Sequence, residues 1–269
     1  MEQKKVCLVT GGSSGIGLET MKALKASGFC VYGTSRRIPP GEVVQLNGFD
    51  CLYLDLADAD SAKSAIDTVV QRDGRIDLLV NNAGFGVSGA AEDMPFEDAI
   101  SQMDANFFGA LRVMRAALPY MREQGGGRII NIGSLAAEFA VPFQSIYSAS
   151  KAALRSLTSA MRAECAPFGI ELSVVEPGDT KTGFTDSRKK PDVSYSPYAK
   201  GFEKGISKME RDERNGAPPK RVADAVVCIA LCRKMPPIRT VGLKNKLLCF
   251  ARRLLPTSLA DRIVRQMYS

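Results

Sequence analysis

The sequence predicts an α/β protein: one domain built on a doubly wound parallel sheet, with a helical extension at its C-terminal end. Three observations carry this. From the N-terminus to about residue 176, apolar runs of strand length alternate with helix-length amphipathic segments, and such alternation requires parallel strands joined by helical crossovers. A glycine-rich turn, Thr10-Gly11-Gly12-Ser13-Ser14-Gly15-Ile16-Gly17, joins the first run to the first helical pattern. The 269 residues suffice for one substantial core, and no linker, repeat or low-complexity tract divides them.

The strand-length runs fall at 6–9, 30–33, 51–54, 78–81, 128–132 and 171–175, with amphipathic stretches near 16–27, 61–72, 96–122 and 147–166. Residues 1–182 therefore read as the core of the fold, which binds its ligand at the C-terminal ends of the strands. Between 183 and 220 the pattern weakens, and Tyr195, Tyr198, Phe202 and Met209 stand among charged residues. That segment reads as an excursion or lid rather than core. In the tail, 243–269, Leu247, Leu248, Ala251, Leu254 and Leu255 recur at helical spacing, with Lys246, Arg252 and Arg253 on other faces. Pro256 ends this helix, and Ser258 is placed to cap a second one carrying Leu259, Ile263 and Met267. A basic amphipathic helix suits a membrane surface, but packing on its own protein or on a neighbouring subunit is the reading taken here.

Composition excludes several chemistries. With no histidine, Ser-His-Asp and Cys-His mechanisms and His-ligated metals are ruled out. Acid–base work near neutral pH falls to Tyr, Lys, Cys or a shifted carboxylate. The seven cysteines form no Cys-x-x-Cys pair, which suits reduced thiols and no metal site. A net charge of +7 raises the question of nucleic acid, but the basic residues are dispersed and no nucleic-acid partner is expected. No apolar run reaches the ~20 residues of a membrane span, and residues 1–5 lead into a strand without a signal-peptide core, so a cytoplasmic location is expected.

The glycine turn allows backbone to approach a pyrophosphate closely, and the helix behind it supplies N–H donors and partial positive charge. Strand two ends in Gly33-Thr34-Ser35-Arg36-Arg37, with no carboxylate to hold a ribose 2′-hydroxyl. Basic residues there accommodate a 2′-phosphate instead, so Ser35 and Arg36 point to NADP(H); the competing reading is a pair of solvated loop arginines. Tyr147 and Lys151, four apart on a helix, lie on one face. A neighbouring ammonium favours phenolate and would lower the tyrosine pKa from ~10. Alone, a Tyr-x-x-x-Lys pair is common on protein surfaces.

In company with other motifs it carries more. Across about 5–185 the sequence resembles a classical short-chain dehydrogenase/reductase. The resemblance rests on the 10–17 turn, Asp55-Leu56, Asn81-Asn82-Ala83-Gly84, Asn106, Ser134, Tyr147 with Lys151, and Pro177-Gly178 with Thr182, in that order. It implies a Rossmann-type fold and an oxidoreductase interconverting a carbonyl and an alcohol. By the same resemblance Gly11, Ser13, Ser14, Gly15, Ile16 and Gly17 cradle the diphosphate. Asp55 and Leu56 meet the adenine, while Asn82, Ala83 and Gly84 border the adenosine and nicotinamide side. Asn81 either pins strands or touches cofactor. Pro177, Gly178 and Thr182 hold the carboxamide end of the nicotinamide, and Thr180 stands where an aliphatic residue is common. Asn106, Ser134, Tyr147 and Lys151 form a catalytic tetrad: Tyr147 exchanges the proton and Ser134 steadies the oxygen. Lys151 binds the ribose and Asn106 supports a water path.

For substrate, Phe139, Val141, Phe143 and Phe184 offer an apolar wall or ordinary core. Residues 222–230 and Arg239-Thr240-Val241-Gly242, with the basic tail, look like the hydroxysteroid and retinol dehydrogenase branch. A steroid- or retinoid-like alcohol or ketone is therefore expected. The alternatives are a β-ketoacyl thioester reductase and a non-catalytic NADP(H)-binding regulator. The resemblance also implies a homodimer or homotetramer.

Overall fold

A computed structural model describes residues 4–268; residues 1–3 and 269, and the side chains of Ile263 and Met267 named above, lie outside the described residues. The strands are β1 (Val6–Val9), β2 (Cys30–Ser35), β3 (Val43–Leu46), β4 (Phe49–Tyr53), β5 (Leu78–Asn81), β6 (Gly127–Ile132), β7 (Ile170–Glu176) and β8 (Ile238–Thr240). They form one sheet in the order β3-β4-β2-β1-β5-β6-β7-β8, parallel except for the β3–β4 pair. Strand order reverses at β1, which lies between β2 and β5, and the crevice above that point is where open α/β sheets bind ligands.

The crossovers are α1 (Gly15–Ala26), α2 (Ala59–Asp73), α3 (Phe96–Met103), α4 (Ala110–Glu123) and α5 (Ser145–Cys165), with α3 and α4 joined by a π turn over Asp104–Gly109. α6 (Ala199–Arg214), α7 (Lys220–Leu231), α8 (Leu243–Leu254) and α9 (Thr257–Tyr268) follow. Alternation along β1 divides the core: Val6 and Leu8 face α2, α4 and α5, while Cys7 and Val9 face α1 and α7.

Two strands escaped the sequence reading. β3 pairs with β4 through a hairpin whose turn, Asn47-Gly48, has φ of 56° and 79°. Asn-Gly between apolar runs is a strong signal for such a turn, so this strand was legible. β8 is three residues long and half-buried, without alternation to reveal it. The 183–220 segment is less polar in place than on paper. Phe202, Ile206 and Met209 of α6 are buried against Val141, Phe143 and Val193, making a small second core. Arginine and lysine sit on the outer positions of that helix, which is why composition hid its buried stripe.

Candidate active site

A cleft of about 1120 Å³ runs over the C-terminal ends of the strands. Its walls include each residue expected to hold the cofactor or form the tetrad except Gly17; Asn81, weighed as a strand pin or a cofactor contact, is not among them. Gly17 instead packs under the glycine turn: a Cβ there would meet the Gly11 carbonyl oxygen at 2.2 Å.

The turn is shaped for close approach. Gly11 and Gly15 have φ of +66° and +54°, a region that disfavours side chains. A Cβ at Gly11 would also lie 3.0 Å from Ala83 Cα. Ser14 caps α1 without a side-chain hydrogen bond, and the first turn holds no acid, so the helix N–H groups face the cleft unmasked. The Thr10 hydroxyl accepts from the Asn82 and Ala83 N–H groups at 3.0 Å each. The Asn82 amide in turn donates to the Thr10 carbonyl at 3.0 Å. Asn81 donates to the Asn131 side chain at 2.9 Å and to the Ala110 carbonyl, so it pins strands. At the end of β2, Ser35 accepts from the Arg37 N–H at 3.2 Å, and Arg36 and Arg37 are exposed along the cleft wall. These features fit a dinucleotide: a glycine cradle that any Cβ would crowd, open helix donors and cations at the ribose end.

Ser134 lies two residues past β6 and caps the short 3-10 turn Leu135–Ala137, its hydroxyl accepting from the Ala136 N–H at 3.1 Å. Tyr147 lies in the first turn of α5, with Lys151 one turn on. Burial pushes the Tyr147 phenol up to about 12, opposed by the nearby Ser134 hydroxyl and Arg188 and assisted by Glu213. Burial alone brings the Lys151 ammonium down to about 8. Its Nζ donates to the Ile132 carbonyl at 2.9 Å and lies 5.8 Å from the centre of the Tyr147 ring. The expected direction for Tyr147 is therefore reversed in this structure: desolvation outweighs the charge, because Lys151 turns toward main chain.

Asn106 is buried in the π turn. Its amide donates to the Phe85 carbonyl at 3.0 Å and to Ser150, while its oxygen accepts from the Phe85 N–H at 3.0 Å. Both ends are committed to protein groups that hold the loop after β5. The π turn places this amide, and its sequence gave no sign of the irregularity.

Of the expected apolar wall, Phe139, Val141 and Phe184 line the cleft, with the Phe184 ring 5.7 Å from Tyr147. Phe143 does not; it packs edge-on against Phe202 at 5.7 Å. Thr180 lines the cleft and turns its hydroxyl onto the Gly178 carbonyl at 2.9 Å. Sequence reading missed Asp179 and Glu213 at the substrate end, and Lys244, Leu248, Ala251 and Leu255 along one flank of α8. These positions are fixed by long-range packing and carried no motif.

A nucleotide cradle at a strand-order reversal, meeting half-buried Tyr147 and Ser134 and buried Lys151 beside an apolar pocket, defines a nicotinamide-dependent oxidoreductase. The chain belongs to the short chain dehydrogenase family, whose model matches residues 5–192. It is 38% identical to the 3-ketodihydrosphingosine reductase of Bacteroides thetaiotaomicron, over 99% of both chains. A probable short-chain type dehydrogenase/reductase of Helicobacter pylori is 31% identical, over 97% of this chain and 96% of its own. Among solved structures, a short-chain dehydrogenase from Streptomyces avermitilis superposes with a TM-score of 0.81 at 30% identity, covering 94% of this chain and 93% of that one. The protein is thus an enzyme of the short-chain type acting on CH–OH or carbonyl groups with a nicotinamide cofactor. No described helix is long and apolar enough to cross a membrane.

Proposed function

We propose that the protein is an NADP(H)-dependent reductase of a long-chain ketone, a 3-keto sphingoid base of the kind the Bacteroides relative is named for. The observation that carries it is the meeting of Tyr147, Ser134 and Lys151 with both the glycine cradle and an apolar pocket in one cleft. When bound, the cofactor supplies hydride to the carbonyl carbon. Tyr147 gives its proton to the carbonyl oxygen, and Ser134 donates a hydrogen bond to the same oxygen. A phenol pushed up to about 12 carries at neutral pH the proton this step donates. Lys151 holds the nicotinamide ribose, and Asn106 positions the loop beneath it.

Arg36, with Ser35 and Arg37 beside it, favours a 2′-phosphate through charge-assisted hydrogen bonds. The sphingoid class takes the place of the steroid- or retinoid-like expectation because the full-length relative bears that name, and the apolar wall suits all three. It also brings an amino group beside the ketone. Asp179, at the substrate end, makes no side-chain hydrogen bond or ion pair among the described residues. Exposed at the cleft rim, its carboxyl is pushed up by desolvation and by the Glu213 and Asp212 carboxylates against the opposing Lys208 and Lys244, and a substrate ammonium would favour its charged form.

The test is NADPH oxidation with 3-ketodihydrosphingosine, a steroid ketone, retinal and a β-ketoacyl thioester, with NADH in parallel. Turnover of the sphingoid ketone should fall about 10²–10⁴-fold in Tyr147→Phe. In Arg36→Ala, KM for NADPH should rise about tenfold with little change for NADH. Turnover of another class in place of the sphingoid ketone would overturn the substrate, and NADPH binding without any turnover would overturn the enzyme reading.

A further inference from the structure

The tail presents a surface that neither the sheet nor the cleft accounts for. On α8, Leu243, Leu247, Phe250 and Leu254 follow i, i+4, i+7, i+11 spacing and so form one stripe. They are 74%, 60%, 62% and 70% exposed, and α8 buries none of its residues. The adjacent flank, with Leu248, Ala251 and Leu255, lines the cleft. The expectation that the tail packs on its own protein or on a neighbouring subunit is met within this chain for α9, which lies against α6, while α8 leaves this stripe uncovered. A single helix carries the mouth of the cleft on one side and an uncovered apolar stripe on the next.

Charge frames that stripe. At ~100° per residue, Lys244 falls on one edge, and Lys246 and Arg253 fall together on the other. From 243 onward the chain has six Lys and Arg against one Asp, so most of the net charge of +7 resides here. α9 runs beside α6 and adds exposed Leu259 and Arg262. Contiguous exposed leucines and a phenylalanine mark an interaction site. A two-fold contact with a second copy through this stripe would set Lys246 and Arg253 against their own equivalents, a like-charge arrangement. An anionic surface has the complementary sign.

We propose that α8 docks on an anionic bilayer, its leucine stripe in the headgroup–acyl boundary and its flanking cations on the phosphates. The cleft mouth then faces the lipid. This goes beyond the substrate assignment and does not depend on it, because the readout is binding.

The test is co-sedimentation of the full-length protein with vesicles of phosphatidylcholine, alone or with about one part in three of phosphatidylglycerol. The protein should pellet with the anionic vesicles at low salt and be released at high salt. Two variants separate the contributions: L247S/F250S/L254S removes the stripe, and K246E/R253E reverses the frame. Each should weaken vesicle binding at least about tenfold. Their melting temperatures should stay near the parent's, since the altered side chains face solvent. Negligible binding by the parent protein, or binding indifferent to both variants, would overturn the proposal. So would a parent dimer that the stripe variant splits while vesicle binding stays absent, for then a second copy is the occupant.

Discussion

Around the glycine turn the cleft wall is largely main chain: the Gly12 N–H donates to the Thr34 carbonyl at 3.1 Å, and the Thr10 hydroxyl holds the N–H groups of 82 and 83. Across the substrate half the wall is held by side-chain pairs between distant segments. Arg188 pairs with Glu213, Lys189 with Asp98 at 2.6 Å, and Tyr198 with Glu92 at 2.8 Å. The first construction needs glycine at fixed spacing and therefore marks the sequence. The second needs only two complementary charges anywhere along the chain. Enzymes with a common cofactor and varied substrates are served by this division, since one wall can change without disturbing the other.

The strongest way to break the comparison is at Arg188. Its side chain is fully buried, stacks 5.5 Å from the Phe184 ring and pairs with Glu213, which also accepts from the Thr185 hydroxyl at 2.7 Å. With the Gln144 amide oriented to satisfy its neighbours, its oxygen accepts from Arg188 Nε and Nη2 at 3.2 and 3.1 Å. One guanidinium thus ties the loop after β7 to α6 and to the start of α5, behind Tyr147. Arg188→Met leaves Glu213 uncompensated, and chemical denaturation should show a loss of about 3–5 kcal/mol. Nicotinamide fluorescence should show NADPH affinity in the surviving folded fraction nearly unchanged. Equal losses of NADPH affinity and stability would mean that the two walls are one unit.

That contrast also explains what was legible. The strands at 6–9 and 78–81 matched β1 and β5 in full, because buried parallel strands read as apolar runs bounded by turns. The candidate site residues up to Thr182 could be proposed in advance because they carry local motifs, the cradle and Ser134 just past strand ends and Tyr147 with Lys151 one turn apart on α5. Glu213 could not, being held by residues 25 and 28 positions away. Nor could the fate of Phe143, whose φ of 62° turns it from the cleft into the α6 cluster. The Tyr147–Lys151 pairing was visible, but the sign of the pKa shift was not, because desolvation depends on what covers the helix.

A smaller effect probes the catalytic end itself. The Lys151 ammonium is held at about 8, against 10.5 when unfolded, by burial. Between those values the unfolded chain binds a proton that the folded chain has released, so this group makes stability rise with pH across that window. Below about 8 the folded state carries the full cost of a desolvated ammonium. Lys151→Met should therefore stabilise the apoprotein at pH 7 by on the order of 1–3 kcal/mol, while abolishing turnover. The figure is net of the lost hydrogen bond to the Ile132 carbonyl. The advantage should shrink as pH approaches 10.5, and urea melts at pH 7 and 10 measure it. Equal stability of parent and variant at both values would show that the buried ammonium costs nothing.

The smallest effect separates side chain from backbone within the substrate wall. Lys189 reaches Asp98 of α3 with a side chain that is 61% exposed, so solvent screens the pair. Its backbone does more: the 189 N–H donates to the Gly86 carbonyl at 3.0 Å, and the Ser88 N–H donates to the 189 carbonyl at 2.9 Å. Those bonds stitch the substrate loop to the segment after β5. Lys189→Ala keeps both and should cost less than about 1 kcal/mol, with the difference vanishing in high salt. Lys189→Pro removes the donor to Gly86 and should cost more, about 1–3 kcal/mol, independent of salt. A lysine-to-alanine loss as large as the proline loss would place the strength of this wall in its ion pairs. The expected ranking would show that even here main chain sets the position and charged side chains refine it.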